Sequence, residues 1–298
     1  MLDADLLIPA TEHVGILLGA GLVGAVAAER RALRAHQQTV LLRRWGTWMV
    51  AAPLFIAAAA GPAIFTALFV ALCGVQAARE YAHITALGRK YRAALLLAAG
   101  VTPLVALAAP AYWFALPAAM LVAATVLPLL EQDVEVGPLQ AAGLALGYTC
   151  IPWLLSFMVL LHGIHGGEGI LLDTGLGVAL GDIGAYAAGR IAGHRRLAPR
   201  VSPNKTWAGL AGQGLGALAG VGMMWSVLPE SLTPGRRLAL VAVVAVGAVW
   251  GDLLESLLKR HRGFKDAGEW LPGFGGLLDR IDSLLLALPL AYLVVTVR

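Results

Sequence analysis

The feature that most constrains the fold of this sequence is a series of long apolar runs separated by short polar or Gly/Pro-containing breaks. Runs near or above 18 residues are long enough to cross a bilayer as helices. Of the 298 residues, 59% are hydrophobic and 13% charged, whereas an ordinary soluble domain carries roughly 25% charged residues. The pattern excludes a soluble enzyme, a disulfide-rich secreted module and a disordered chain. It predicts an all-α, polytopic helical membrane protein.

The breaks in hydropathy predict nine or ten transmembrane helices. Two of the breaks, at Gly61-Pro62 and at Pro110, are short enough to be either kinks or tight hairpins, so the count stays open. The ten candidate spans are 13–28, 45–60, 62–79, 93–109, 111–130, 139–161, 171–193, 207–228, 237–258 and 277–297.

The basic residues predict how these spans are oriented. If the N-terminus is outside and ten spans alternate, all but three of the 22 lysines and arginines fall in inner loops or at inner helix ends. Cytoplasmic loops are enriched in these residues, so we expect a multi-pass protein of the inner cell membrane. The bases also attract anionic membrane lipids, and we expect no nucleic acid partner despite the net charge of +4.

The two parts of the chain use charge differently. Residues 1–170 are predicted to be scaffold helices that face lipid, whereas residues 171–298 carry many charges inside or at the ends of apolar helices. Each such charge costs a few kcal/mol within a bilayer unless it is paired, hydrated or bound to an ion. The C-terminal region is therefore where we expect the chemistry to lie.

A first charged group lies on the predicted helix that contains GDLLESLLKR, residues 251–260. Asp252, Glu255, Ser256 and Lys259 follow the spacing i, i+3, i+4, i+7 and share one helical face. Carboxylate and hydroxyl oxygens on that face suit a hard cation such as Mg²⁺. An ion pair within the helix between the glutamate and the lysine is the simpler alternative.

A second group is the Gly/Pro-rich segment KDAGEWLPGFGGLLDRID, residues 265–282, which leads into the last span. Glycines let a backbone approach a phosphate closely. Asp279 and Asp282 would hold divalent ions, and Lys265 and Arg280 would clamp phosphate oxygens. The dipole of the last helix alone would also favour acids at its start.

A third group comprises GDIGAYAAGR and SPNKTW, residues 181–190 and 202–207. Asp182 lies within a span and is a functional candidate for that reason. The second stretch is predicted to be a polar loop, which would contact substrate or merely cap the next helix through its serine or asparagine. Its candidate residues are Ser202, Asn204, Lys205 and Thr206.

The three groups lie toward the same inner face in the predicted topology. Acids for a metal and bases for phosphate at a membrane surface suggest phosphoryl or nucleotidyl transfer to a lipid. A cation-coupled transporter that uses intramembrane acids as a proton relay is the alternative from another class. It would explain Asp182 and Asp252, but it leaves the glycine-rich basic loop without a purpose.

Residues 256–282, SLLKRHRGFKDAGEWLPGFGGLLDRID, resemble the signature of the phosphatidate cytidylyltransferases (CDP-diacylglycerol synthases). That signature runs Ser-x-Leu-Lys-Arg, four residues, Lys-Asp, and then a Pro-x-His-Gly-Gly stretch that ends Asp-Arg-x-Asp. Phe274 stands where the pattern usually has histidine, which leaves room for a different lipid phosphate as substrate. The residues that fit are Ser256, Lys259, Arg260, Lys265, Asp266, Pro272, Gly275, Gly276, Asp279, Arg280 and Asp282.

The resemblance implies that the protein transfers CMP from CTP to phosphatidate, giving CDP-diacylglycerol and pyrophosphate. Mg²⁺, a second, monovalent cation such as K⁺, and a homodimer are implied with it. The implied catalytic residues are Asp252, Ser256, Lys259, Arg260, Lys265, Asp266, Asp279, Arg280 and Asp282. The implied substrate-binding residues are Ser202, Asn204, Lys205, Thr206, Gly275 and Gly276. The implied metal-binding residues are Asp182, Asp252, Asp266, Asp279 and Asp282.

Overall fold

The computed structural model describes residues 4–30, 39–264, 266–273 and 275–297. Lys265 and Phe274, which the sequence singles out, lie outside the described residues. The helices are α1 (Ala4–Ala28), α2 (Val40–Ala60), α3 (Ala63–Ile84), α4 (Arg89–Ala108), α5 (Pro110–Trp113), α6 (Leu116–Glu131), α7 (Gly137–Tyr148), α8 (Phe157–His162), α9 (Gly167–Ala192), α10 (Trp207–Met223), α11 (Pro234–His261) and α12 (Leu278–Thr296). A π-helical turn (Thr149–Trp153) joins α7 to α8, and a 3-10 turn (Trp225–Val227) follows α10.

Within the described part of the chain, each of the ten predicted spans coincides with one helix or with consecutive helical segments. The protein is therefore an all-α, polytopic helical membrane protein. Six stretches are both long and apolar enough to cross a membrane, whereas the total of nine or ten stays a prediction. The six are Leu6–Ala28, Ala63–Ile84, Arg89–Ala108, Gly137–His162, Gly167–Ala192 and Pro234–His261.

Both of the short breaks separate helices. Gly61 is extended and Pro62 precedes the first residue of α3, so the chain leaves one helix and starts another within two residues. Pro110 opens the four-residue helix α5, a position where its missing N–H costs no helical hydrogen bond.

Two contacts near helix ends join residues that the alternating spans place on the same side. The Nη2 atom of Arg262 donates to the carbonyl oxygen of Thr85 at 3.3 Å, and both residues fall on the predicted inner side. The Nη2 atom of Arg236 donates to the carbonyl oxygen of Val297 at 2.8 Å, and both fall on the predicted outer side. These contacts are consistent with an up-and-down arrangement of the helices.

An acidic connection joins α6 to α7 on the predicted inner side. Glu131 forms an ion pair with Lys90 at the start of α4. The amide of Val136 donates to a carboxylate oxygen of Asp133 at 3.0 Å, and this backbone hydrogen bond lowers the pKa of that carboxyl. Glu131 and Asp133 are thus each engaged by the protein, as expected for a link between helices.

Helices α9 and α10 pack backbone to backbone through glycines. A Cβ atom on Gly184 would collide with the carbonyl oxygen of Gly212, and one on Gly212 would collide with the carbonyl oxygen of Gly184. Small residues permit such close approach between membrane helices, where dispersion forces and packing drive association. The close packing fixes α9, which carries Asp182, against its neighbour.

The predicted polar loop before α10 is instead a β-hairpin. Strand β1 (Arg196–Ala198) pairs with strand β2 (Ser202–Thr206) in antiparallel register. The sequence shows no alternation of apolar and polar residues there, so the usual strand signal is missing. The hairpin sits between α9 and α10 and directs Lys205 toward α11.

Candidate active site

Three carboxylates meet where α11 and α12 are in backbone contact. A Cβ atom on Gly251 would collide with the carbonyl oxygen of Asp282, so the glycine allows this approach. One oxygen from each of Asp252, Glu255 and Asp282 lies within 4.8 Å of the others. The glutamate and Asp282 are buried, and Asp252 is partly exposed. The close packing of two helices thus concentrates negative charge at one point.

The chemistry of this carboxylate cluster fits a divalent cation. The Oε1 atom of Glu255 is buried and has no hydrogen-bond partner among the described residues. Asp282 accepts a hydrogen bond from the amide of Ser283 at 2.7 Å. Buried carboxylates this close together repel one another unless a positive charge compensates them. Because Mg²⁺ prefers oxygen ligands, the three residues suit such an ion.

Two lysines border the carboxylate cluster. The Nζ atom of Lys205 lies 2.5 Å from Oδ2 of Asp252 and joins the hairpin to α11. The Nζ atom of Lys259 lies 2.5 Å from Oε2 of Glu255 and 2.6 Å from Oδ1 of Asp279. The structure thereby brings together residues from all three charged groups. Lys205 and Asp282, the most distant of the residues named here, are 77 positions apart in the sequence.

Asp182 lies at the edge of the carboxylate cluster. It extends from α9 and interacts electrostatically with Asp252, Lys205 and Arg280. The protein leaves Asp182 exposed. This position lets it influence an ion or a phosphate beside the cluster, and the metal assignment of Asp182 stays a prediction.

Asp279 holds the loop before α12 in place. Its Oδ1 atom accepts a hydrogen bond from Lys259 at 2.6 Å, and its Oδ2 atom accepts from the amides of Ala267 and Gly276, each at 2.9 Å. Asp279 is not part of the three-carboxylate cluster. Both oxygens of Asp279 therefore accept hydrogen bonds from the protein. The sequence instead predicts that this residue binds the metal.

The glycines of this loop fit against protein carboxylates. A Cβ atom on Gly276 would lie 2.7 Å from an oxygen of Glu80, and the amide of Gly276 is used by Asp279. Gly275 has a φ of +87°, in the left-handed region, and exchanges two backbone hydrogen bonds with Leu271. In this arrangement the amide of Gly276 is committed to the protein, whereas the sequence predicts that it approaches a substrate phosphate.

Other predicted residues surround the cluster without joining it. Ser256 is buried and donates a hydrogen bond to Oδ1 of Asp252 at 3.2 Å. Arg260 is exposed, and its Nη1 atom donates to the carbonyl oxygen of Phe264 at 2.9 Å. Asp266 is exposed and is not part of the three-carboxylate cluster.

Thr206 has a structural contact at the end of the hairpin. It is buried, and its Oγ1 atom accepts a hydrogen bond from the amide of Gly209 at 3.0 Å, which caps the N-terminus of α10. The cap is therefore the threonine, not the serine or asparagine that the sequence suggests. Ser202 is partly buried and Asn204 is exposed, on the same strand as Lys205.

The sequence reasoning missed Glu80 of α3. Its carboxylate is buried and accepts hydrogen bonds from the amides of Leu277 and Leu278, at 3.0 and 2.7 Å. An acid at the end of an apolar helix was the available signal, but it lies almost 200 residues from its partners. Glu255 is a second acid that was not assigned to the metal. Its helical spacing groups it with Asp252, but the set of metal-binding residues implied by the resemblance omits it.

The fold and the site together define a polytopic helical membrane protein. It carries a cluster of carboxylates that suits a divalent cation, and basic side chains border this cluster. A sequence model of the cytidylyltransferase family matches residues 42–298. Since the match covers most of its length, the chain belongs to the cytidylyltransferase family.

The chain is also similar to curated bacterial phosphatidate cytidylyltransferases. It is 39% identical over 151 residues to the one from Haemophilus influenzae, which covers 47% of this chain and 52% of the relative. It is 46% identical over 110 residues to that of Pseudomonas aeruginosa, covering 36% and 40%. It is 36% identical over 147 residues to that of Mycobacterium leprae, covering 49% and 46%. The chain spans about half the length of the curated relatives it matches.

Proposed function

We propose that this protein is a CTP:phosphatidate cytidylyltransferase, which transfers CMP from CTP to phosphatidate in phospholipid biosynthesis. The observation that carries the proposal is the cluster of Asp252, Glu255 and Asp282, bordered by Lys205 and Lys259. The names of the curated relatives point to the same substrate.

In the proposed reaction, a phosphate oxygen of phosphatidate attacks the α-phosphorus of CTP. A bond from that oxygen to phosphorus forms, the bond to the bridging oxygen breaks, and pyrophosphate leaves. Little covalent chemistry is required of the protein, so positioning and charge neutralisation supply most of the rate. Because phosphatidate is already an anion near neutral pH, the reaction needs no general base.

The three carboxylates of the cluster would hold a divalent ion such as Mg²⁺. When bound, such an ion supplies positive charge that offsets the charge on transferring phosphates. Lys205 is partly exposed and lies next to Asp252, so its ammonium group can pair with a substrate phosphate. Arg260 and Arg280 are exposed and would bind phosphate oxygens. Asp266 and Lys265 belong to the proposed site through the resemblance, as does a monovalent cation such as K⁺.

We place the protein in the inner cell membrane, with the site facing the cytoplasm. The support is the distribution of lysine and arginine along the sequence, which follows the positive-inside rule. This orientation gives the site access to soluble CTP and to membrane phosphatidate. A homodimer is part of the proposal through the family resemblance.

The proposal is tested with purified protein in detergent, supplied with CTP, Mg²⁺ and a panel of lipid phosphates. We expect release of pyrophosphate and formation of CDP-diacylglycerol with phosphatidate. Preference for another lipid phosphate would show that the substrate is different, and Phe274 is the sequence feature that favours this alternative. Release of CDP together with lipid phosphorylation would identify a CTP-dependent kinase. An absence of nucleotide turnover with every lipid would refute both enzyme classes and leave a cation-coupled transporter.

A further inference from the structure

Glu80 is an acid from the N-terminal half that contacts the start of α12. It is only 6% exposed. Its Oε1 atom accepts hydrogen bonds from the amide of Leu277 and from Nε2 of Gln76, at 3.0 and 2.9 Å, and its Oε2 atom accepts from the amide of Leu278 at 2.7 Å. The carboxylate thus satisfies two amides that a helix N-terminus leaves without intrahelical partners. It also sits at the positive end of the α12 dipole.

The contact of Glu80 is tight on the loop side as well. A Cβ atom on Gly276 would lie 2.7 Å from one of its oxygens, and a Cβ atom on Gly268 would lie 3.2 Å from the other. The loop therefore closes around the carboxylate at two places. A smaller side chain at position 80 would leave these backbone segments without their central contact.

A second helix of the N-terminal half holds the tip of the same loop. The Nε atom of Arg44 in α2 donates to the carbonyl oxygen of Gly273 at 2.9 Å. The Oγ1 atom of Thr47, one turn further on, donates to the carbonyl oxygen of Pro272 at 3.0 Å. Helices α2 and α3 thus hold the loop at its tip and at its junction with α12.

The start of α12 determines where Asp282 lies. This residue is one helical turn beyond Leu278, whose amide donates to Glu80. Since a helix transmits a displacement of its first turn along its axis, movement at Leu278 shifts Asp282 relative to Asp252 and Glu255 on α11.

We propose that Glu80 is a positioning residue for the carboxylate cluster. It fixes the glycine-rich loop and the first turn of α12, and it thereby sets the spacing at which the three carboxylates bind a divalent cation. The inference deepens the proposed function. Its effect on turnover rests on that function, whereas its effect on cation binding does not. Partners that orient metal ligands typically contribute about 10- to 100-fold to metal affinity or activity.

The test is the variant Glu80→Gln in the full chain, purified in detergent. Glutamine keeps the shape but offers one acceptor oxygen and turns an NH₂ group toward a backbone N–H. We expect Mn²⁺ binding, measured by electron paramagnetic resonance, to weaken about tenfold or more. We also expect faster hydrogen exchange at the amides of Leu277 and Leu278. Glu131→Gln is the matched control, because it removes an acid of the same half whose partner is Lys90 and not a residue of the loop.

Unchanged Mn²⁺ affinity and unchanged exchange in Glu80→Gln, or equal changes in Glu131→Gln, would overturn the inference. If Glu80→Gln does not fold, Glu80→Asp replaces it, since its carboxylate is retained but withdrawn by one methylene. That variant should bind Mn²⁺ more weakly than the wild type, and wild-type affinity would again refute the proposal. Wild-type protein that binds Mn²⁺ but turns over no lipid would contradict the proposed function and leave the Glu80 result standing.

Discussion

The acids of the site divide into two kinds at the scale of single residues. Asp252, Glu255 and Asp282 face one another with oxygens within 4.8 Å. Asp279, three residues before Asp282, is instead hydrogen-bonded to Lys259 and to two backbone amides. The sequence assigns both aspartates to the metal because spacing alone cannot distinguish a carboxylate that lies beside two other carboxylates from one that is bonded to a lysine and to two backbone amides.

We expect Asp282→Asn to reduce turnover about a hundredfold or more, because it removes a charge aimed at the cation. Mn²⁺ affinity should also fall, because a neutral amide is a weaker ligand for the cation than a carboxylate. Both are measured on purified protein, by the pyrophosphate assay and by electron paramagnetic resonance. Glu269→Gln is the control, since Glu269 is an exposed acid of the neighbouring loop that is not part of the cluster.

The variant Asp279→Asn separates the two kinds of acid. It should slow turnover and speed hydrogen exchange at Ala267 and Gly276, because their shared acceptor loses its charge. Its Mn²⁺ affinity should fall less than that of Asp282→Asn. Equal losses of affinity in the two variants would show that Asp279 is itself a metal ligand.

At the scale of elements, the glycine-rich loop is shaped by its contacts with protein carboxylates. We expect Gly276→Ala to lower turnover about tenfold, because the added methyl group would lie 2.7 Å from Glu80 and 2.8 Å from the amide nitrogen of Gly268. Gly214→Ala in α10 is the control, since a Cβ atom there meets nothing within 4 Å. Thermal unfolding in detergent accompanies the assay. Full activity of Gly276→Ala would contradict the described contact with Glu80.

The β-hairpin and α10 are joined by the cap at Thr206. Thr206→Ala should destabilise the protein by about 1 kcal/mol, seen as a lower Tm in detergent. Thr206→Ser keeps the capping oxygen and should retain most of the stability. An unchanged Tm together with a raised KM for CTP would instead assign the threonine to substrate binding.

The sequence predicts the helices of this protein better than it predicts their contacts. Apolar runs near 18 residues indicate each helix because the bilayer requires that length. The hairpin has no such signal, since β2 reads Ser-Pro-Asn-Lys-Thr and its partner is three residues long. The ion pair between Lys205 and Asp252 joins elements that lie 47 positions apart, and local pattern contains no information about such a pair.

At the scale of the whole molecule, the N-terminal helices contact the loop that leads into α12. The sequence indicates a lipid-facing scaffold over residues 1–170, because apolar residues dominate it. In the structure, Glu80 and Arg44 from this part contact the loop before α12. The prediction of a lipid-facing scaffold therefore agrees with the composition of these helices, but it does not include their contacts with the C-terminal loop.

The proposed orientation predicts which loops a reagent reaches from outside the cell. His165→Cys lies in the exposed connection between α8 and α9 on the predicted outer side, and Glu135→Cys lies in the exposed connection between α6 and α7 on the predicted inner side. A membrane-impermeant maleimide should label the first variant in intact cells and the second only after permeabilisation. Wild-type protein supplies the background, since its cysteines Cys73 and Cys150 are buried and half-buried. The reverse labelling pattern would place the carboxylate cluster on the outer face, away from cytoplasmic CTP, and would contradict both the orientation and the reaction that depends on it.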